Sequence, residues 1–188
     1  NYPEMEIRRI ETIGPKVGDE LKTSALQAIL IALGLVLIYI TFRFQWRQGI
    51  AAIITLLHDV MVVVGIFSIF DKEFTLPVIA ALLTVVGYSL NDTIVIFDRI
   101  RENISKFRKR ELLPLINQSV TETLSRTLLT SGTTLMVVLA LVFLGGEIIH
   151  DFAFALLVGV LIGTYSSIYV ASPTVLWLTK IAPPKTSD

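Results

Sequence analysis

Residues 74–98 read FTLPVIAALLTVVGYSLNDTIVIFD, an apolar run whose first charged residue is Asp92. A helix needs roughly 20 apolar residues to cross a hydrocarbon core of ~30 Å. This stretch therefore predicts a membrane-spanning helix. Four further stretches of comparable length and composition predict four more spans, at 23–43, 48–70, 123–145 and 150–179.

The composition of the 188-residue chain agrees with an all-α membrane protein. Hydrophobic residues make up 53% and charged residues 17%, the mean hydropathy is +0.71, and the net charge is zero. The zero net charge argues against an extended nucleic-acid-binding face, and the absence of cysteine excludes disulfides and Cys-ligated metal. The chain also lacks a Gly-x-Ser-x-Gly, a His-Glu-x-x-His and a P-loop. We therefore expect no enzymatic activity, catalytic residue, cofactor or metal site.

The placement of Lys and Arg predicts the topology. Residues 99–122 carry six basic residues, whereas the connection at 146–149 carries none. Basic loops face the cytoplasm, so the N-terminal end is expected outside and the C-terminus inside. The apolar residues within 99–122 suggest a cytoplasmic interfacial helix that breaks at Pro114.

The two ends of the chain differ in composition from the spans. Residues 1–16 look like the end of an outside α+β domain, with a hint of a strand at 5–10 and a turn at Gly14-Pro15. The membrane domain is expected at 17–182 and a cytoplasmic tail at 183–188. Because the sequence starts without Met or signal peptide, we expect a missing upstream span and most of an outside domain. A complete protein with a short outside tail is the alternative.

Apart from the two residues at either end of each predicted span, three charged residues fall inside the spans: Asp59, Asp92 and Arg126. An Asp or Arg at a helix centre costs about 2.5–3.5 kcal/mol on insertion scales, so each needs partners or water. Asp92 lies ~24 Å along its inward span and Arg126 ~6 Å along the next, outward span. Both therefore fall in the cytoplasmic third of the membrane, where they could form a proton relay or a structural pair. We favour the relay.

Polar residues recur at helical spacing beside both charges. They could line a hydrated cleft or form ordinary interhelical hydrogen bonds, and the two charges favour the cleft. The residues are Thr84, Tyr88 and Asn91 in the third span and Thr130, Thr133 and Thr134 in the fourth.

The second and last spans carry weaker signals. His58 and Asp59 are adjacent, so they point about 100° apart on a helix and should not share one partner. His58 could relay protons, but we favour a hydrogen bond to a neighbouring helix. For Asp59 the sequence favours neither the proton relay nor the structural hydrogen bond. Gly159 and Gly163 form a Gly-x-x-x-Gly motif that favours close helix packing.

The sequence around Asp92 also carries a family resemblance. VGYSLNDT at 86–93 and FDRIREN at 97–103 resemble the signature of the SecF branch of the SecD/SecF family of bacterial protein-export subunits. Three shorter segments fit the same family: GPKVG at 14–18, His58-Asp59, and SRTLLTS at 125–131.

The resemblance implies a fold and a site. Members of this branch have six spans, with a periplasmic domain between the first and second, in a half-domain of the RND transporter type. This chain would then hold the end of that domain and spans two to six. The intramembrane Asp and Arg of the family fall on Asp92 and Arg126.

The resemblance also implies a function and partners. The family uses the proton-motive force to promote preprotein translocation across the bacterial inner membrane, with SecD, the SecYEG channel and, in many bacteria, YajC. The alternatives are another proton-driven RND exporter, of lipid or drug, and a structural assembly subunit.

Overall fold

The computed structural model describes residues 15–43, 46–107 and 111–181, and the regular structure within these ranges is helical throughout. The all-α prediction is confirmed. The α-helices are α1 (Pro15–Arg43), α2 (Trp46–Ile69), α3 (Leu76–Lys106), α4 (Leu112–Leu144), α5 (Glu147–Ser166) and α6 (Ser172–Ile181), with a π-helical segment (Ser167–Ala171) between α5 and α6. The predicted strand at 5–10, Gly14 and the tail at 183–188 lie outside the described residues.

Four helical stretches are long and apolar enough to cross a membrane. They are α2, α3, α4 and the continuous stretch Glu147–Ile181 that joins α5 to α6. The predicted spans at 48–70, 74–98, 123–145 and 150–179 lie on these four stretches, although α3 extends beyond its predicted span at the C-terminal end and α4 at the N-terminal end. The remaining span, predicted at 23–43, falls within α1, whose apolar part is the shorter segment Gln27–Ile40.

The charged region between the third and fourth spans differs from the prediction. Helix α3 continues to Lys106 and α4 already begins at Leu112, so the two long helices are separated by a short connection. The predicted break at Pro114 is wrong. Pro114 is the third residue of α4, where a backbone N–H has no intrahelical acceptor and proline costs little.

The last span contains an irregularity with a local cause. The π-helical segment Ser167–Ala171 directly precedes the helix that contains Pro173. In a regular α-helix the Pro173 ring would collide with the carbonyl of Tyr169, four residues earlier. The wider turn of the π-helix accommodates the proline without ending the span.

Helix α5 packs at the centre of the bundle, between α2, α3 and α4. A Cβ atom added to Gly159 would overlap the side chain of Val85 in α3, and one added to Gly163 would lie 3.1 Å from the Cβ of Ser89. The Gly-x-x-x-Gly motif therefore provides the close helix contact that the sequence predicted, and the structure shows that the partner helix is α3.

Two buried apolar clusters stabilise the bundle at different levels. The first includes Leu56 and Val86, and the second includes Val63 and Leu82. In α2, Asp59 lies between Leu56, which belongs to the first cluster, and Val63, which belongs to the second. The buried acid therefore lies at the boundary between them.

Candidate functional site

Asp92 is a buried acid where α3 meets α4 and α5, with 3% of its surface exposed. The Ser131 hydroxyl of α4 donates to Asp92 Oδ2 at 3.5 Å. Tyr88 and Thr164 donate in turn to Ser131 Oγ, at 3.3 and 2.7 Å. Because hydroxyls both donate and accept, this arrangement connects Asp92 to three helices through groups that can pass a proton.

Arg126 lies near Asp92 without contacting it. Its side chain is exposed and forms no ion pair within 4 Å in the part of the chain that the structure describes. The guanidinium acts on the Asp92 carboxyl electrostatically, across the α3–α4 interface. The two charges therefore come within electrostatic range, as their depths suggested, but they do not form a salt bridge.

The other predicted residues around Asp92 are only partly brought together. Tyr88 reaches the site through Ser131. Asn91 is exposed on another face of α3, and Thr130 is exposed on α4, where its hydroxyl bonds to the Arg126 and Thr127 carbonyls. Asn91 and Thr130 therefore lie outside the α3–α4 contact in which Asp92 is buried.

The α4 face that meets α3 carries a different set of polar residues. They are small, buried and spaced four residues apart, so they lie on one side of the helix. They are Ser119, Thr123, Thr127 and Ser131. Their spacing was visible in the sequence, but the prediction gave priority to the residues around Arg126.

A second buried acid, Asp59, has 1% of its surface exposed. Its Oδ2 atom accepts hydrogen bonds from two hydroxyls, those of Ser89 in α3 and Ser166 at the end of α5, the latter at 2.8 Å. Its Oδ1 atom lies 3.0 Å from His58 Nδ1. The carboxyl group therefore connects α2, α3 and α5, which the sequence alone did not reveal.

The structure corrects the expectation for His58. Its ring bonds to Asp59 on its own helix, and within the described ranges it forms no hydrogen bond to a neighbouring helix. Adjacent helical positions point apart at Cβ, but the imidazole and the carboxyl group are long enough to turn towards each other. His58 and Asp59 are therefore partners.

A charged network closes the end of the α3–α4 pair, in the predicted interfacial segment. Arg99 Nε donates to Glu122 Oε2 at 2.6 Å, and Asn103 Nδ2 donates to the same oxygen at 2.8 Å and to Ser119 Oγ at 2.9 Å. Bonds from two α3 side chains to one α4 carboxylate fix the register of the two helices. This register places Asp92 opposite Ser131.

Within 15–43, 46–107 and 111–181, no three His, Asp or Glu side chains come together in a way that could hold a metal ion. The two buried acids instead face hydroxyls and one imidazole. Such surroundings suit binding and release of protons.

Comparison with known proteins identifies the family. Residues 1–181 match the family model described as "Protein export membrane protein SecD/SecF, C-terminal". The chain belongs to the SecD/SecF family. It is 56% identical over 174 residues to the protein translocase subunit SecF of Vibrio alginolyticus, covering 93% of this chain and 55% of that protein.

SecDF from Thermus thermophilus gives a structural counterpart. The protein translocase subunit SecDF of that organism is 53% identical over 166 residues, which are 88% of this chain and 23% of SecDF. The crystal structure of SecDF, described as "a translocon-associated membrane protein", superposes with a TM-score of 0.86 over 89% of this chain and 23% of that one. The membrane fold is therefore that of SecDF. The chain spans about half the length of the SecF relatives it matches.

Proposed function

We propose that the chain is the membrane part of a SecF-type subunit that uses the proton-motive force to promote protein translocation. The relatives are named as translocase subunits, and the solved relative is called translocon-associated. The observation that carries the proton-driven part is the buried Asp92, linked by Ser131 to α4 and α5.

Asp92 is the proton carrier in this proposal. A neighbouring positive charge favours the ionised carboxylate, and its removal favours the protonated acid. Movement of α4 that carries Arg126 towards or away from Asp92 would therefore bind and release a proton. One charge that crosses 100 mV supplies about 2.3 kcal/mol, which is enough to bias such a two-state movement.

Hydroxyls provide the route to Asp92. Thr127, one turn from Ser131, is buried and has no hydrogen-bond partner in the described part of the chain. Buried polar groups in proteins are nearly always paired with protein or water. In this proposal the Thr127 hydroxyl binds water on a path along α4.

SecD is the partner that best accounts for the exposed polar face of α3 and α4. Asn91, Arg126 and Thr130 are exposed in helices long and apolar enough to cross a membrane. Exposure of an arginine to acyl chains is costly, so helices of another subunit should cover this face. In the SecDF relative, SecD and SecF share one name and one chain. The SecYEG channel, YajC and a preprotein are the further partners of this proposal.

The orientation follows from charge. The Lys/Arg-rich region 99–122 would lie in the cytoplasm of a bacterial inner-membrane protein, which puts the N-terminal end in the periplasm and the C-terminus in the cytoplasm.

Gradient-driven export in membrane vesicles tests the proposal. The full-length protein is co-expressed with SecD and SecYEG, and preprotein uptake is measured with and without a proton gradient. We expect Asp92→Asn to remove the gradient-dependent part of the uptake and to leave the gradient-independent part intact. Asp98→Asn serves as the matched control, because it makes the same change six residues further along the same helix.

Two results would count against the proposal. Normal gradient-driven uptake in the Asp92→Asn protein would remove Asp92 from the coupling step. Loss of co-purification with SecD in this variant would instead favour a structural assembly subunit, with the charged residues holding the bundle together.

A further inference from the structure

The two oxygens of the Asp59 carboxyl group have different partners. Oδ2 accepts both serine hydroxyls, from Ser89 and Ser166. Oδ1 contacts His58 Nδ1, at 3.0 Å. One oxygen is therefore held by hydroxyl donors, and the other faces a nitrogen that can either donate or accept a proton.

The charge of this pair depends on one proton. Within the described segments, Asp59 has His58 as its single ion-pair partner, and no Lys or Arg pairs with its carboxyl group. The groups of α3 and α5 that contact Asp59 are serine hydroxyls, which neither gain nor lose a proton in the physiological pH range. A proton on either the carboxyl group or the imidazole makes the pair neutral, and its removal leaves a net negative charge. Burial of an uncompensated carboxylate is costly.

The observed geometry accommodates the proton at both positions. A protonated Oδ1 could donate to Nδ1 of a neutral imidazole, and an Nδ1–H could donate to the ionised carboxylate, over the same distance of 3.0 Å. The imidazole side chain is 34% exposed, whereas that of Asp59 is 1% exposed. Exchange with the surroundings would therefore pass through His58.

The ligand chemistry favours a proton over a metal cation. Hard cations such as Ca²⁺ and Mg²⁺ take six or more oxygen ligands. Here both hydroxyls are directed at one carboxylate oxygen, and the other oxygen faces a nitrogen.

We infer that His58 and Asp59 form a proton-binding site that holds one exchangeable proton and is separate from Asp92. The hydrogen bonds of Asp59 join α2, α3 and α5, whereas those of Asp92 join α3, α4 and α5. On α5, Thr164 belongs to the hydrogen-bonded group around Asp92, and Ser166, two residues later, belongs to the group around Asp59. The inference rests on the proposed function only for the use to which the proton is put.

Infrared difference spectroscopy tests this site directly. Spectra of the full-length protein with SecD in lipid bilayers are recorded between acidic and alkaline pH, and the carbonyl band of protonated carboxyl groups is followed. We expect Asp59→Asn to remove one pH-dependent carboxyl band that Asp92→Asn leaves in place. His58→Gln keeps a polar group but cannot bind the proton, so it should shift the pH midpoint of the Asp59 band.

Two controls address structural damage. His150→Gln removes the imidazole of another His-Asp pair and should leave the Asp59 band unchanged. Ser166→Ala removes one hydroxyl donor but keeps carboxyl and imidazole, so the Asp59 band should still titrate, with a shifted midpoint.

Three outcomes would overturn the inference: no pH-dependent band assigned to Asp59, loss of both bands together in Asp92→Asn, or a band that responds to sodium at constant pH instead of to pH. The first means that no proton exchanges here, the second that the acids share one proton, and the third that the site binds a metal cation. Normal export by Asp92→Asn would refute the proposed function and leave this site untouched.

Discussion

The chain contains two adjacent His-Asp pairs whose surroundings differ. In His58–Asp59 the Nδ1–Oδ1 distance is 3.0 Å, and the aspartate side chain is 1% exposed. In His150–Asp151, near the start of α5, the same atoms lie 3.4 Å apart, and the aspartate side chain is 38% exposed.

The neighbours of the two pairs explain the contrast. Lys72 Nζ lies 2.5 Å from Asp151 Oδ1 and 5.2 Å from the Phe154 ring centroid, so a permanent cation compensates this carboxylate. Asp59 has two serine hydroxyls instead. The same dipeptide is therefore a surface ion-pair element at one end of the bundle and a candidate proton site in its interior, because burial and the nearest cation decide the role.

Removal of the carboxyl group should produce the largest difference between the two pairs in the loss of unfolding free energy. Asp59→Leu leaves the Ser89 hydroxyl without its acceptor, whereas Ser166 keeps a bond to the Gly163 carbonyl at 3.1 Å. An unsatisfied buried polar group costs about 1–3 kcal/mol, and we expect a loss of unfolding free energy in that range. Asp151→Leu disrupts a partly exposed pair and should cost at most about 1 kcal/mol.

Denaturant unfolding of the two purified variants in detergent would measure the difference. Equal losses for both variants would show that the Asp59 hydrogen bonds contribute no more than a surface ion pair. The contrast between the two pairs would then have no energetic basis.

A substitution in α5 should have an effect of intermediate size. This helix contributes to the surroundings of both pairs, through Asp151 near its start and through Ser166, which bonds to Asp59, at its end. Gly159 lies between them, and an added methyl group would overlap Val85. Overpacking costs about 1–3 kcal/mol, so Gly159→Ala should destabilise the protein and displace α5 from α3. This displacement should weaken the Ser166–Asp59 hydrogen bond more than the Lys72–Asp151 ion pair.

Gly65→Ala is the matched control, since a Cβ there meets nothing within 4 Å. Helix propensity favours alanine by up to about 1 kcal/mol, so this variant should be neutral or slightly stabilised in thermal unfolding. If the Gly159 variant behaved in the same way, close α3–α5 packing would not be what holds Ser166 against Asp59.

The helices were predictable from sequence because long apolar runs determine them. Each predicted span lies on a helix, and Gly159 was correctly expected at a close contact. The end of α3 was misjudged, because charged residues up to Lys106 continue the helix beyond the apolar part. Pro114 was misinterpreted as a break, because a proline in a first turn and one in a helix interior look alike in sequence.

The site was less predictable, because it depends on which helices meet. Asp92 and Asp59 stood out as charges within apolar runs. Their partners Ser131, Thr164 and Ser166 are common residues in membrane helices, and they gain a role only through the rotation of α4 and α5 about their axes. A single sequence does not specify that rotation, so Asn91 and Thr130 were grouped with Asp92 although they face elsewhere.

The smallest effect concerns the surface pair and its salt dependence. Lys72→Met keeps an apolar chain of similar length near Phe154 but removes the charge next to Asp151. Partly exposed ion pairs contribute about 0–1 kcal/mol and are screened by salt. Unfolding at low and high ionic strength should therefore show a small loss for Lys72→Met that disappears in high salt, whereas the loss for Asp59→Leu should persist. A salt-sensitive Asp59→Leu loss would mean that a screened charge interaction, rather than buried hydroxyl donors, stabilises that carboxyl group.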